Sequence, residues 1–248
     1  MIKLLIVGRR RGGMTVSQLH QYMTDVHGAM VVRFIGESPE QCPKRYVQNH
    51  VFDGTTRSPD GSPDPFTNTR DFVTQVWFDN PMQAKASIEA PLYLEHLQPD
   101  EANFVDQSSV VKLPVTEQPL FDSGSTDAHF KVFVFHHAAD SGQGADSTGA
   151  ASAAAATLAD WQTLVKSESH GIARWVRNTV MSPPIASQQV ACVDEVWLKS
   201  EAAARSLVAQ WQSTVGTVDT IGTTPNPAAG ASAGSFILLA TEHVLFNG

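Results

Sequence analysis

The sequence predicts an α+β fold built from two βαββαβ repeats in one chain, and three observations carry that prediction. "RYVQNHVF" at 45–52 matches "RWVRNTVM" at 174–181 nearly position by position, with Tyr46 against Trp175, Asn49 against Asn178 and His50 against Thr179. "DFVTQVWFDNPMQA" at 71–84 answers "ACVDEVWLKSEAAA" at 191–204. "TEQPLF" at 116–121 answers "TEHVLF" at 241–246. Self-similar phrases recurring in one order indicate an internal repeat.

The elements follow in sequence. "IKLLIVGR" at 2–9 and "FKVFVFHH" at 130–137 are apolar, β-forming runs that read as buried strands. Thr15 with Gln18, and Thr157 with Asp160, give each half a helix start. Each helix then reaches a His-Gly pair, His27-Gly28 or His170-Gly171, where glycine can serve as the C-cap. The quoted strand comes next, then a strand ending in Val-Trp. A second helix follows, capped by Asn80-Pro81 or Ser200. The closing strands complete each repeat. The expected bounds are 1–121 for the first repeat, 122–129 for a linker and 130–248 for the second. The second repeat carries a flexible Ala/Gly/Ser loop at 139–156. Such units are ferredoxin-like, each a sheet with both helices on one face. Two of them can pack sheet to sheet as an intramolecular dimeric α+β barrel around a cavity.

Composition limits the function. The net charge of −8 provides no basic stripe for nucleic acid. Cys42 and Cys192 cannot make a disulfide framework and suit a reducing compartment. The apolar run at the N-terminus is too short for a membrane span and has no charged region ahead of it. The expectation is a cytoplasmic protein with no membrane or nucleic-acid partner. No glycine loop spaced for phosphates and no Gly-x-Ser-x-Gly elbow occurs.

"RRRGGMTVSQLHQYMTDVHGAMVV", "RYVQNHVF", "VWFD" and "DEANFVDQSSVVKLPVTEQ" together resemble the EthD family of dimeric α+β-barrel proteins across nearly all of residues 2–120. The second half resembles it more weakly, through Lys131, His170-Gly171, Trp197 and Thr241-Glu242-His243. The resemblance implies two βαββαβ units forming one barrel. Its wider superfamily includes aromatic polyketide cyclases, muconolactone isomerase, cofactor-free monooxygenases of phenolic substrates and haem-dependent members. His27 matches the family's most recognisable histidine.

Strand alternation selects the remaining candidates. Tyr46, Gln48 and His50 share one face of their strand, as Trp175, Arg177 and Thr179 do in the second repeat. The expectation is that both sets line the cavity between the sheets. His50 and His27 are the candidate acid–base groups, with an ordinary pKa of about 6.5 suited to proton transfer. Tyr46, Gln48, Trp175, Arg177, Trp77 and Trp197 are the candidate substrate contacts. His20 is expected to be exposed, and Asp100, Glu101 and Asp106 to cap helices or sit in a solvated loop.

No His, Asp or Glu spacing suggests a metal, so the expectation is no metal and no cofactor, with haem on a cavity histidine as the alternative. The expected function is cofactor-independent proton transfer on a small hydrophobic, aromatic or polyketide-like metabolite, of cyclase, dehydratase, isomerase or lyase type. The alternatives are a cofactor-free oxidoreductase and a small-molecule-binding accessory protein. A homodimer of the two-repeat chain is one assembly compatible with the sequence, which leaves the oligomeric state open.

Overall fold

The computed structural model describes residues 1–54, 70–137, 159, 161–166, 171–181, 190–216 and 236–248. The expected loop at 139–156, the Thr157 and Asp160 helix start, and His170 lie outside the described residues. Eight strands follow the hydrogen-bonded order β1-β3-β2-β8-β5-β7-β6-β4, a closed antiparallel barrel. Their ranges are β1 Ile2–Gly8, β2 Arg45–Gly54, β3 Phe72–Phe78, β4 Val111–Asp122, β5 Phe130–His137, β6 Ile172–Val180, β7 Val190–Leu198 and β8 Phe236–Asn247. The chain divides into two compact units. Unit 1 holds Met1–Phe52, Thr69–Glu117 and Ala240–Gly248, and unit 2 holds Asp53–Asn68 and Gln118–Leu239.

In unit 1, β1 is the central strand, antiparallel to β3 and β4, and β2 pairs with β3. Register places Leu4, Val76 and Tyr46 side by side on one face, with Ile6, Thr74 and Gln48 next along it. The helices cover this face. Helix α1, Val16–Tyr22, starts at the expected Thr15 cap, and Thr15 and Gln18 form a reciprocal capping box. It does not end at Gly28. The chain passes through a wider π turn, Met23–Gly28, and continues as α2, Ala29–Glu37. Gly28 is right-handed helical, so it is no C-cap. Helix α2 buries Val31, Phe34 and Ile35 against Tyr46, Val76 and Phe78.

Glycine at 28 serves close approach. A Cβ there would meet Leu245 Cδ1 at 2.6 Å, the Met23 carbonyl at 2.7 Å and Gln48 Nε2 at 3.1 Å. After β3, α3 (Pro81–Glu89) starts at the expected Asn80 cap. A second π turn, Tyr93–Leu97, then leads into α4, Gln98–Phe104. Neither of these last two elements is among those expected from the sequence.

In unit 2, β7 lies between β5 and β6. Short helix α5 covers residues 161–166, and α6, Glu201–Gly216, has Ser200 Oγ accepting from the Ala203 amide. Trp161 and Trp211 meet edge to face at 5.4 Å in this unit.

The opposite face of each sheet carries a recurring polar pattern. Lys3 lies 4.8 Å from the Trp77 ring and Arg45 lies 4.7 Å from it. Lys131 and Arg174 lie 4.2 and 4.8 Å from Trp197. Asn49 Nδ2 donates to the Val73 carbonyl at 2.8 Å, and Asn178 Nδ2 to the Val193 carbonyl at 3.0 Å.

Replacing Gly28 with alanine is expected to destabilise the protein by about 1–3 kcal/mol, the usual cost of overpacking. Urea unfolding of Gly28→Ala beside the native protein measures this, and an unchanged midpoint would refute the close-approach account.

Candidate functional site

The larger cavity described lies in unit 1, on the helix side of the sheet, with a volume of about 400 Å³. Leu4, Ile6, Val76, Tyr46, Phe72 and Phe78 form its sheet wall. Met23, His27, Val31, Phe34, Tyr93, Leu97 and Phe104 form its helix wall. Polar groups are few: His27, Tyr46, Thr74, Ser87, Tyr93 and Glu101, with Lys85 and Lys112. An apolar hollow with a few polar groups is how small-molecule sites are built.

The face expected to line a cavity between the sheets does not do so. Tyr46, Gln48 and His50 do share a strand face, but that face looks to the helices. Trp77 lies on the other face, as register requires, since it neighbours Val76 and pairs with Lys3. Trp197 likewise pairs with Lys131 across β7 and β5. Both indoles are platforms for cationic side chains, which the sequence pattern cannot distinguish from a ligand wall.

His27 sits in the first π turn, with its side chain 13% exposed. Its Nδ1–H donates to Asp100 Oδ2 at 2.9 Å. Tyr22 donates its hydroxyl proton to Asp100 Oδ1 at 2.5 Å, and Asn103 Nδ2 donates to the same oxygen at 3.1 Å. Burial acts to raise the Asp100 pKa, yet the donors Tyr22, His27 and Asn103 outweigh it and hold the carboxyl below the usual range. The carboxylate therefore fixes the imidazole with Nδ1 protonated and leaves Nε2 as its unprotonated nitrogen. Asp100 was expected only to cap a helix. It lies 73 residues from His27, and no spacing rule connects them. Beside it, Tyr93 donates to Glu101 Oε1 at 3.0 Å. Burial first, then Glu101, raises the Tyr93 pKa.

His50 is not on the cavity wall. It is buried, stacked on His20 at 4.4 Å and against His243 at 4.2 Å. His20, expected to be exposed, is half-buried, with its Nε2–H donating to the Asp71 carbonyl at 3.2 Å. Gln48 is fully buried behind Tyr46. Burial, then the neighbouring His20 and His243, lowers the His50 pKa to about 3. Among the described residues, no three His, Cys, Asp or Glu side chains converge on a metal position.

In unit 2, Arg177 is committed to Asp194 through Nε at 2.9 Å and Nη2 at 2.8 Å. His136 Nε2 joins the same carboxylate at 3.0 Å. Burial raises the Asp194 pKa, but hydrogen bonds from His136 and Arg177 outweigh it, so the carboxyl stays ionised. The guanidinium expected to hold a substrate oxygen already holds a protein one. Trp175 is 2% exposed, and its Nε1 has no partner among the described residues.

A family profile, the EthD domain, matches residues 11–108, which hold His27, Tyr46, Tyr93 and Asp100. Residues 11–108 are thus similar to an EthD domain. No curated protein sequence matches the chain. Among solved structures the chain is similar to an anthrone oxidase-like protein, with 10% identity, TM-score 0.52, and 98% of this chain and 93% of that one covered. It is also similar to a chlorite dismutase-like protein, with 12% identity, TM-score 0.50 and coverage of 98% and 96%. A haem-binding protein from Thermus thermophilus is a further match, with 11% identity, TM-score 0.44 and coverage of 97% and 90%. These identities establish the fold alone.

They also correct the expectation of no cofactor. Structures of this fold include a chlorite dismutase-like protein, so the fold does not support the expectation of no cofactor. The donor set of the EthD-domain cavity is compatible with haem. His27 is an imidazole whose other nitrogen is held by a carboxylate, the usual support of a metal-ligating histidine. Among the described residues, no helix is long and apolar enough to cross a membrane.

Unfolded His50 takes up a proton near pH 6.5, whereas the folded group does so only near 3. The unfolded state therefore binds more protons between these values, and stability falls as pH drops from 6.5 toward 3. Between pH 6.5 and 5 the His50 contribution is expected to be about 2 kcal/mol. Urea midpoints across that range measure it, and His50→Leu is expected to flatten the dependence.

Proposed function

We propose that the chain is an enzyme that binds a small apolar, aromatic or polyketide-like molecule in the EthD-domain cavity and moves a proton at His27. The observation that carries this reading is the His27–Asp100 pair on the wall of an apolar hollow of about 400 Å³. Asp100 orients the ring, and Nε2 takes a proton from the substrate or returns one. The apolar walls exclude water and favour a flat, uncharged body. Lyase, isomerase and cyclase chemistry all fit one positioned base. His50, one of the two proposed acid–base residues, stands outside the cavity lining, so we assign the transfer to His27.

Oxidoreductase chemistry is the second reading, favoured by the same imidazole. Were haem the resident group, His27 Nε2 would hold its iron, with Lys85 and Lys112 available to its carboxylates. Haem would then supply the redox chemistry. The architecture we propose is a duplication, residues 1–121 and 130–248 each a ferredoxin-like repeat joined by 122–129. The matched Lys-Trp-Arg arrangements and the matched Asn49 and Asn178 hydrogen bonds support it. Buried thiols at Cys42 and Cys192, with pKa values raised by burial to about 11, suit a reducing cytoplasm.

Native mass spectrometry of the purified protein, with an absorption spectrum from the same tube, is expected to show a bound small molecule that names the substrate class. On that compound His27→Gln is expected to lower turnover about 10²–10⁴-fold, the usual share of a positioned acid or base, with affinity nearly unchanged. Asp100→Asn should lose less. Unchanged turnover in His27→Gln would sink this reading of His27, and no turnover by the native protein would leave a binding protein. A haem band lost in His27→Ala would instead select the oxidoreductase.

A further inference from the structure

We infer that the ligand of the EthD-domain cavity carries a hydrogen-bond acceptor oxygen, which takes the hydroxyl proton of Tyr46. The inference rests on the proposed reading of the cavity and adds what its ligand must present. It follows from the order in which the buried hydrogen bonds are fixed.

The Met23 carbonyl can only accept, and Gln48 Nε2 lies 2.6 Å from it. That contact settles which end of the Gln48 amide is nitrogen. The same Nε2 lies 2.7 Å from the Tyr46 hydroxyl oxygen. An amide nitrogen is a donor and not an acceptor, so Tyr46 must receive this bond. Both Nε2 protons are then spent. Gln48 Oε1 accepts from His50 Nε2 at 3.1 Å, which puts the His50 proton on Nε2 and fills the other end of the amide.

Tyr46 therefore cannot return its own proton to Gln48. Among the described residues the hydroxyl makes no other hydrogen bond, although Tyr46 is 3% exposed and lines the cavity. A buried donor with no acceptor costs about 1–3 kcal/mol. An oxygen on the occupant of the cavity removes that cost. The nearby Glu101 carboxylate is bonded by Tyr93 and by Gln107 Nε2. The fitting class is a planar apolar molecule bearing a ketone, quinone or phenolate oxygen. Gln48 is a positioning residue: it touches no ligand and fixes Tyr46 as a donor.

The test compares two flat probes of nearly equal shape, 9-fluorenone and its hydrocarbon fluorene, by titration of the full-length protein. The native protein is expected to favour the ketone by about five- to tenfold, the worth of one net hydrogen bond. Tyr46→Phe is expected to erase the preference while still binding both. Gln48→Glu should also erase it, because a carboxylate or carboxyl oxygen would accept the Tyr46 proton. Should that variant fail to fold, the infrared carbonyl band of bound fluorenone decides. The band should lie lower in the native protein than in Tyr46→Phe. Equal affinity for both probes with equal bands would overturn the inference and leave the cavity as a ligand site. Binding of neither probe would overturn the cavity reading itself.

Discussion

The structure of the EthD-domain unit depends on one buried side chain, Gln48. Its amide joins strand β2 to the π turn through the Met23 carbonyl, and it reaches Tyr46 and His50 at the same time. A buried amide makes its full set of bonds or costs heavily, so the helix must sit where Gln48 can reach it. A Cβ at residue 28 would crowd the same Met23 carbonyl, Gln48 Nε2 and Leu245 Cδ1. Glycine at 28, the π turn and the helix-side facing of β2 are three aspects of one constraint. The turn also sets the position of His27 on the cavity wall.

The two halves differ most on the helix-side face. At the positions of Gly8, Gln48 and Thr74, the second half has His136, Arg177 and Asp194. In unit 2 these three side chains form one satisfied ionic cluster. Each alone would be an uncompensated polar group in a buried setting, so the exchange is coherent only as a set. On the opposite face the halves agree, with lysine, tryptophan, arginine and asparagine at matched places. That face does the same physical work twice, while the helix side is neutral around Gln48 in one half and ionic in the other. Arg177 reads as a substrate contact when its strand is considered alone. Comparison of "VTQVW" with "VDEVW" places Asp194 opposite it and is the signal that corrects the reading.

Local signals determined much of this protein. The strands, the Thr15 capping box, the Asn80 and Ser200 caps and the EthD resemblance were legible, because each rests on residues adjacent in sequence. Alternation also showed that Tyr46, Gln48 and His50 share a face, since a strand has period two. It could not show which face meets the helices, because both are buried and mixed in polarity. The partner of His27 was hidden for a related reason. Asp100 reaches it only after the helices pack, and no pattern in the chain links residues 73 positions apart. His-Gly read as a helix end because glycine most often ends helices; here packing decided, since the Met23 carbonyl and the Leu245 side chain come within 2.7 Å of where a Cβ would sit at residue 28. The sequence alone determined the strands, the helix starts and the EthD resemblance. Tertiary structure alone decided which polar groups meet, because burial makes each of them find a partner and only the packed chain says which partner is in reach.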